Sequence, residues 1–77
     1  PPAVSRFQAR MALRQAGLFD AAEAAVAASG DPLLMEAWDS AVEYRRLSPS
    51  ILMLGAALGL DDAAMDQLFR EAAEITA

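Results

Sequence analysis

The chain has 77 residues, which is enough for one small domain, and carries a formal net charge of −5 at pH 7. It contains no cysteine, histidine or lysine, so disulfide bonds, zinc clusters and catalysis by any of these three side chains are excluded. Apolar residues make up 56% of the sequence, and many of them are alanine, which favours helix. The composition therefore indicates a helical domain with some apolar surface available for contact with another chain, but no particular function.

The start of the chain suggests a linker, and the sequence shows no targeting or membrane-spanning segment. Residues 1–4 begin with two prolines and are expected to form an extended linker, with a single helical domain over residues 5–77. We expect this to be the C-terminal part of a longer chain or a processed product; an omitted tag or disordered start is the alternative. No signal peptide is visible, and the longest uncharged run, Leu47–Leu60, is shorter than the roughly 20 residues that span a bilayer. A cytoplasmic location is the default expectation.

Capping residues and glycines predict five helices and no strand. Capping boxes are expected where Ser5 is followed by Gln8 and where Asp20 is followed by Glu23, because each pair satisfies free amides of the first turn. Glycines are expected to end the helices in the left-handed conformation. The predicted helices run from Ser5 to Gly17, from Asp20 to Gly30, from Asp31 to Arg45 or Arg46, from Ser48 to Gly59, and from Asp61 or Asp62 nearly to Ala77.

The spacing of apolar residues predicts an all-α fold: a compact orthogonal bundle of about five short helices around a buried central helix. The third helix has an apolar face that includes Ala41 and Val42, opposite an acidic face of Glu36, Asp39 and Glu43. The fourth helix carries no charge on any side, so we expect it to be the buried central helix, with a glycine at position 55 allowing a close crossing. The residues predicted for the core are Leu34, Trp38, Ile51, Leu54, Leu58, Met65, Leu68 and Phe69.

The first helix carries three arginines on one side of an otherwise acidic protein. Arg6, Arg10 and Arg14 recur every fourth residue and form an arginine stripe, with Phe7 and Met11 beside it. These five residues are assigned to a partner interface, because arginine, phenylalanine and methionine are enriched in interfaces. A solvated face, or pairing with the acidic face of the third helix, remains an alternative. Nucleic acid is disfavoured, because three arginines in a chain of net charge −5 give little counterion release.

Two other patterns near the C-terminus have simpler explanations than a binding site. The segment Leu52–Leu68, with Gly59 in its turn, could be a helix-turn-helix, but its second helix is strongly acidic and would face phosphates. Asp61, Asp62 and Asp66 could hold magnesium on a diphosphate. The attraction of acidic residues to a helix N-terminus explains this cluster without a ligand.

Nothing in the sequence supplies catalytic chemistry. The serines have no histidine or lysine to act as a base, and there is no glycine-rich phosphate loop. Arg45 and Arg46 suit the negative C-terminal end of the third helix. We therefore predict no enzyme activity, no catalytic residue, no cofactor and no metal site.

Several separated short motifs run from Val4 to the end of the chain: Ser5-Arg6-Phe7-Gln8-Ala9-Arg10, Ala16-Gly17-Leu18, Ala37-Trp38, Tyr44-Arg45-Arg46-Leu47-Ser48-Pro49-Ser50, Ala57-Leu58-Gly59-Leu60 and Leu68-Phe69. In this order they resemble a small C-terminal segment common in phage and prophage proteins encoded near tail and tail-fibre genes. The resemblance implies a structural or assembly protein of a phage, with an N-terminal part outside this sequence. Tyr44 stands where the family often has phenylalanine, a change that conserves packing.

Three functions are compared on this basis. The first is a non-catalytic protein interaction module of a phage tail or tail-fibre protein, which binds tail components or itself as a homo-oligomer. It would act in the host cytoplasm during assembly or within the virion, with no nucleic acid or membrane as partner. The second is a phage-encoded inhibitor of a host protein, whose acidic faces imitate nucleic acid. The third is a helix-turn-helix regulator, which the charge disfavours.

Overall fold

The computed structural model describes residues 2–76 and shows five helices and two short strands. Their order is β1 (Ala3–Ser5), α1 (Arg6–Gln15), α2 (Phe19–Ala28), α3 (Pro32–Ser40), β2 (Glu43–Arg45), α4 (Pro49–Ala57) and α5 (Asp62–Ala73). The radius of gyration is 11.1 Å, close to the value of about 11.5 Å expected for a compact chain of this length. The protein is therefore mostly helical and compact.

Polar side chains cap four of the five helices, as the sequence predicts. Ser5 and Gln8 form the capping box of α1: the Ser5 hydroxyl accepts from the Gln8 amide at 3.0 Å, and the Gln8 side-chain oxygen accepts from the Ser5 amide at 2.9 Å. Asp31, Ser48 and Asp61 accept hydrogen bonds from first-turn amides of α3, α4 and α5. These caps fix where the four helices begin.

The second helix begins without a side-chain cap. It starts at Phe19, and Leu18 in the N-cap position makes no side-chain hydrogen bond to the helix. The predicted capping box of Asp20 and Glu23 is therefore wrong. The Glu23 carboxylate instead accepts a hydrogen bond from the indole N–H of Trp38 at 3.3 Å, which ties α2 to α3.

Glycines in the left-handed conformation end α1 and α4. Gly17 has φ 74° and Gly59 has φ 73°, a region that residues with a Cβ rarely adopt. The turn lets the next amide reach back along the helix: Leu18 donates to the Leu13 carbonyl at 2.8 Å, and the amide after Gly59 donates to the Gly55 carbonyl at 2.9 Å. The predicted stops at these two glycines are confirmed.

Two short strands form a sheet that the sequence did not predict. β1 pairs antiparallel with β2, and Val4 lies opposite Tyr44 at the centre. One flanking hydrogen bond runs from the Arg46 amide to the Pro2 carbonyl at 2.9 Å, and the other from the Arg6 amide to the Val42 carbonyl at 3.1 Å. The expected all-α fold is therefore right only in outline.

The sheet also changes the role of the first residues. Ala3 and Val4 fall in the predicted linker 1–4 and are extended, but they pair with β2, and Val4 is buried in the core. Pro1 of the same linker, and Ala77 at the end of the predicted domain 5–77, lie outside the described residues. The folded unit thus includes residues before Ser5.

The third helix is shorter than predicted. It ends at Ser40 rather than at Arg45 or Arg46, and the next residue, Ala41, is extended with φ −64° and ψ 133°. Beyond it, Tyr44 is buried while its two neighbours are exposed, which is the two-residue alternation of a strand. Burial of the tyrosine against Val4 outweighs continuation of the helix.

One apolar core holds the elements together. Of the predicted core residues, Leu58 and Leu68 are partly buried and pack against the core, and the other six are buried in it. The buried apolar residues are Val4, Ala12, Leu13, Phe19, Ala22, Val26, Leu34, Trp38, Tyr44, Ile51, Leu54, Met65, Phe69 and Ala72.

The fourth helix is not the buried centre of the fold. It packs against α2 and α3, and it buries Ile51, Leu54 and Gly55, whereas Leu52 and Met53 are 45% and 43% exposed. A Cβ at Gly55 would lie 2.8 Å from the Met65 sulfur, so the glycine does permit close packing with α5. Instead, α1 packs against α2, α5 and both strands.

Burial on α4 can be tested with a matched pair of substitutions. Leu54→Asp should unfold the domain, because it places an unpaired charge at a site that is 6% exposed, at a cost of several kcal/mol. Leu52→Asp, on the exposed side of the same helix, should remain folded. Circular dichroism and thermal unfolding of both variants would check this, and equal effects of the two would contradict the orientation of α4.

Candidate functional site: the arginine stripe and the Phe7 surface

The arginine stripe supplies hydrogen bonds to the end of α3. The last carbonyls of a helix have no amide partners within it. The Trp38 carbonyl accepts from Nη2 of Arg10 at 2.7 Å and from the Tyr44 hydroxyl at 2.6 Å, and the Asp39 carbonyl accepts from Nη1 of Arg6. Two arginines and a tyrosine therefore replace the amides that a longer helix would provide, and the positive charge suits this end of the helix dipole.

Arg10 also packs on the aromatic residues of the core. Its guanidinium carbon lies 4.5 Å from the centroid of the Trp38 ring and 5.7 Å from that of Phe19. Tyr44 stacks on the same Trp38 ring, with the two ring centroids 6.2 Å apart and the ring planes 18° from parallel. Cation–π attraction and the carbonyl hydrogen bond thus hold Arg10 in place.

The expected pairing of the stripe with the acidic face of α3 is nearly absent among the described residues. Within residues 2–76, the one ion pair that joins the stripe to this acidic face is between Arg10 and Asp39 at 4.0 Å. Asp39 is largely exposed, and such pairs contribute only about 0–1 kcal/mol. Arg14 instead places its guanidinium carbon 3.7 Å from the centroid of the Phe19 ring. The stripe therefore serves carbonyl groups and aromatic rings rather than carboxylates.

Part of the predicted partner interface forms a continuous surface. Ser5, Arg6, Phe7, Arg10 and Val42 line one shallow depression, which we name the Phe7 surface. Phe7 is 47% exposed and Val42 is 84% exposed, so two apolar side chains face solvent beside two arginines. These arginines are also the ones held by the end of α3.

The other two predicted interface residues lie apart from this depression. Met11 is partly buried, and the guanidinium of Arg14 lies on Phe19. Val42, by contrast, is predicted to lie on the apolar face of the third helix, next to Ala41. Because α3 stops at Ser40, it is exposed instead, and only the strand-like alternation after it could have indicated this.

Two of the three acidic residues at the start of α5, Asp62 and Asp66, form ion pairs with Arg46. Nε of Arg46 donates to the Asp66 carboxylate at 2.9 Å, and its Nη2 lies 3.5 Å from the Asp62 carboxylate and 3.3 Å from the Asp62 carbonyl. Asp61 caps the helix. The sequence placed Arg46 at the end of the third helix; it is instead buried and ties the end of β2 to α5.

The described residues hold no evident place for a metal ion or a small ligand within the core. No three acidic side chains in residues 2–76 come together in a group that could hold a metal ion. The cavity among the apolar core residues measures ≈ 40 Å³, whereas ligand pockets are typically about 300–1,000 Å³.

Removal of the Arg10 side chain tests its structural role. Arg10→Ala should lower the free energy of unfolding by about 1–3 kcal/mol, because it removes a hydrogen bond to the Trp38 carbonyl and a cation–π contact. Arg70→Ala is the control, since Arg70 is exposed and its one side-chain hydrogen bond among the described residues is to Gln67 on its own helix. Urea unfolding would measure both, and equal stabilities would contradict the role of Arg10.

The hydroxyl of Tyr44 gives a pH test of the same contacts. Burial raises its pKa above the ordinary value of 10.0, although Arg10 beside it acts in the opposite direction. The folded chain therefore keeps a proton that the unfolded chain loses, so the free energy of unfolding should fall as pH rises above 10. Tyr44→Phe should show a flatter dependence.

Few other groups in this chain titrate in the same pH range as the Tyr44 hydroxyl. Tyr44 is the single tyrosine, and there is no lysine to titrate in the same range. Urea unfolding at several pH values, together with the absorbance of tyrosinate, would follow one group. Parallel pH dependence of the native chain and Tyr44→Phe would contradict the assignment.

Comparisons with other proteins add no assignment. Among residues 2–76, no helix combines the length and the apolarity that crossing a membrane requires. No family model, curated protein or solved structure matches the chain. The function must therefore be argued from the residues and contacts described above.

Proposed function

We propose that this chain is a non-catalytic protein interaction module that binds its partner through the Phe7 surface. The observation that carries the proposal is the exposure of Phe7 and Val42 side by side, next to Arg6 and Arg10. Aromatic residues and arginine are enriched where protein interfaces concentrate their binding energy. An apolar pair bordered by two arginines matches that composition.

The Phe7 surface is held rigidly, which favours binding. The Arg6 amide donates to the Val42 carbonyl at 3.1 Å, so the start of α1 and the segment before β2 cannot separate without breaking this bond. The capping box at Ser5 fixes the first turn of α1, and Arg6 is tied to the end of α3. The residues of the Phe7 surface would therefore lose little conformational entropy when a partner binds.

For the biological setting, we infer a structural or assembly role in a phage tail or tail fibre. The support is the order of short motifs along the chain, which resembles a segment of phage and prophage proteins encoded near tail genes. The partner would be another tail component or a further copy of the chain. Its place would be the host cytoplasm during assembly, or the virion.

An inhibitor of a host protein is the second candidate, and the charge distribution favours it. Glu36, Asp39 and Glu43 are all exposed, and the chain carries a net charge of −5. Such a face would attract a basic surface, including one that normally binds nucleic acid. A DNA-binding role for α4 and α5 is disfavoured, because Asp62 and Asp66 lie on the second of these helices.

The test compares binding by two variants with similarly exposed positions. Each tail and tail-fibre protein encoded beside this gene would be purified and its Kd for the chain measured by calorimetry. Phe7→Asp should weaken the complex at least tenfold, because it places a charge in an apolar contact. Leu52→Asp is the control, since Leu52 is 45% exposed on α4 and should bind as the native chain does.

Circular dichroism would confirm that both variants are folded. Equal Kd values for the native chain and Phe7→Asp would remove the Phe7 surface as the binding site. Binding of a host protein, with no affinity for any tail protein, would favour the inhibitor.

A further inference from the structure

The second edge of β2 has no neighbouring strand within the described residues. The flanking hydrogen bonds join Arg46 to Pro2 and Arg6 to Val42, so the hydrogen-bonded pairs of this antiparallel ladder fall on even-numbered residues. The backbone N–H and C=O groups of residues 43 and 45 therefore point away from β1. Apart from the Arg45 carbonyl, which accepts from the Ser48 amide, these groups have no backbone partner within residues 2–76. They form a short free edge, which is a template for another strand.

The side chains on this edge carry opposite charges. Glu43 and Arg45 are both exposed, and within residues 2–76 neither forms an ion pair. Tyr44 between them is buried and points into the core. An antiparallel copy of the same three residues would place each glutamate opposite an arginine, which favours pairing across strands.

An apolar groove runs beside the same edge, between α3, β2 and α4. Its volume is ≈ 290 Å³, and its lining includes Leu33, Ala41, Pro49 and Ile51. Leu33 is largely exposed at this groove. A strand added to β2 would cover part of this groove and shield these apolar groups from water.

We propose that a second copy of this chain pairs with β2 along Glu43–Arg45, antiparallel and about a twofold axis at Tyr44. The result is a four-stranded sheet with the two β2 strands at its centre. The amide of residue 43 donates to the carbonyl of residue 45 in the second copy, and the amide of residue 45 donates to the carbonyl of residue 43. The Arg45 carbonyl also accepts from Ser48 at 3.1 Å, and its second lone pair serves the new bond.

The self-complementary charges make a second copy the partner that this edge fits. In a twofold arrangement the same contact occurs twice, so Glu43 meets Arg45 of the second copy at both ends of the strand pair. A parallel arrangement about Tyr44 would instead place like charges opposite each other. Charge therefore selects both the partner and the register.

The test is charge reversal, measured as solution mass by sedimentation equilibrium over a range of concentrations. The native chain should dimerise, and Glu43→Arg or Arg45→Glu alone should raise the dimer Kd at least tenfold, because like charges then face each other. The double variant E43R/R45E should restore the native Kd, and it keeps the net charge of −5. An equimolar mixture of the two single variants should form a heterodimer.

Each result decides the proposal. A native chain that stays monomeric at several hundred micromolar overturns it, as does a dimer whose Kd the single reversals leave unchanged. Failure of the double variant to restore the dimer overturns the antiparallel register. Phe7→Asp is the matched control and should dimerise as the native chain does; loss of the dimer in that variant would place the interface on the Phe7 surface instead.

Discussion

The carbonyl groups at the end of α3 are the point on which the rest of the fold depends. In a longer helix the Trp38 and Asp39 carbonyls would accept from the amides four residues later. Here the helix stops at Ser40, and Arg6, Arg10 and the Tyr44 hydroxyl supply the donors instead. Because those amides are released from the helix, the next residues are free to form β2.

Trp38, near the end of α3, also joins four elements through side-chain contacts. Trp38 lies between the ring of Phe19 on α2 and the ring of Tyr44 on β2, with Arg10 of α1 over its face. Its indole N–H donates to Glu23 on α2. Movement of any one element would therefore break an aromatic contact and a hydrogen bond together, and this coupling lets a small core hold one arrangement.

The local signals of the sequence predicted the helices well, since a cap acts on its own first turn. Ser5, Asp31, Ser48 and Asp61 each satisfy neighbouring amides, whatever the rest of the chain does. The sheet was not predictable in this way. Its two strands are three residues long and about forty residues apart, so neither is stable without the other.

The candidate site was predictable only in part, for a similar reason. The four-residue spacing correctly placed Arg6 and Arg10 beside Phe7, but it could not show that the two arginines bind carbonyls on a distant helix. Val42 was assigned to the wrong side, because its position depends on where α3 stops. Long-range hydrogen bonds, rather than local pattern, decide which of these groups faces solvent.

The apolar residues of this chain are less completely buried than the helical pattern alone predicts. A helix without charges is expected to be buried on all sides, yet a chain of this length has too few elements to surround α4. Part of its apolar surface therefore remains at the exterior, as do Phe7 and Val42. Val42 directly precedes β2 and its carbonyl accepts from the Arg6 amide, so the Phe7 surface lies on the β1 side of β2, and the edge proposed to pair with a second copy is the opposite one. A dimer formed there carries two Phe7 surfaces related by its twofold axis, and a partner with two matching sites would bind both with an avidity that neither surface has alone.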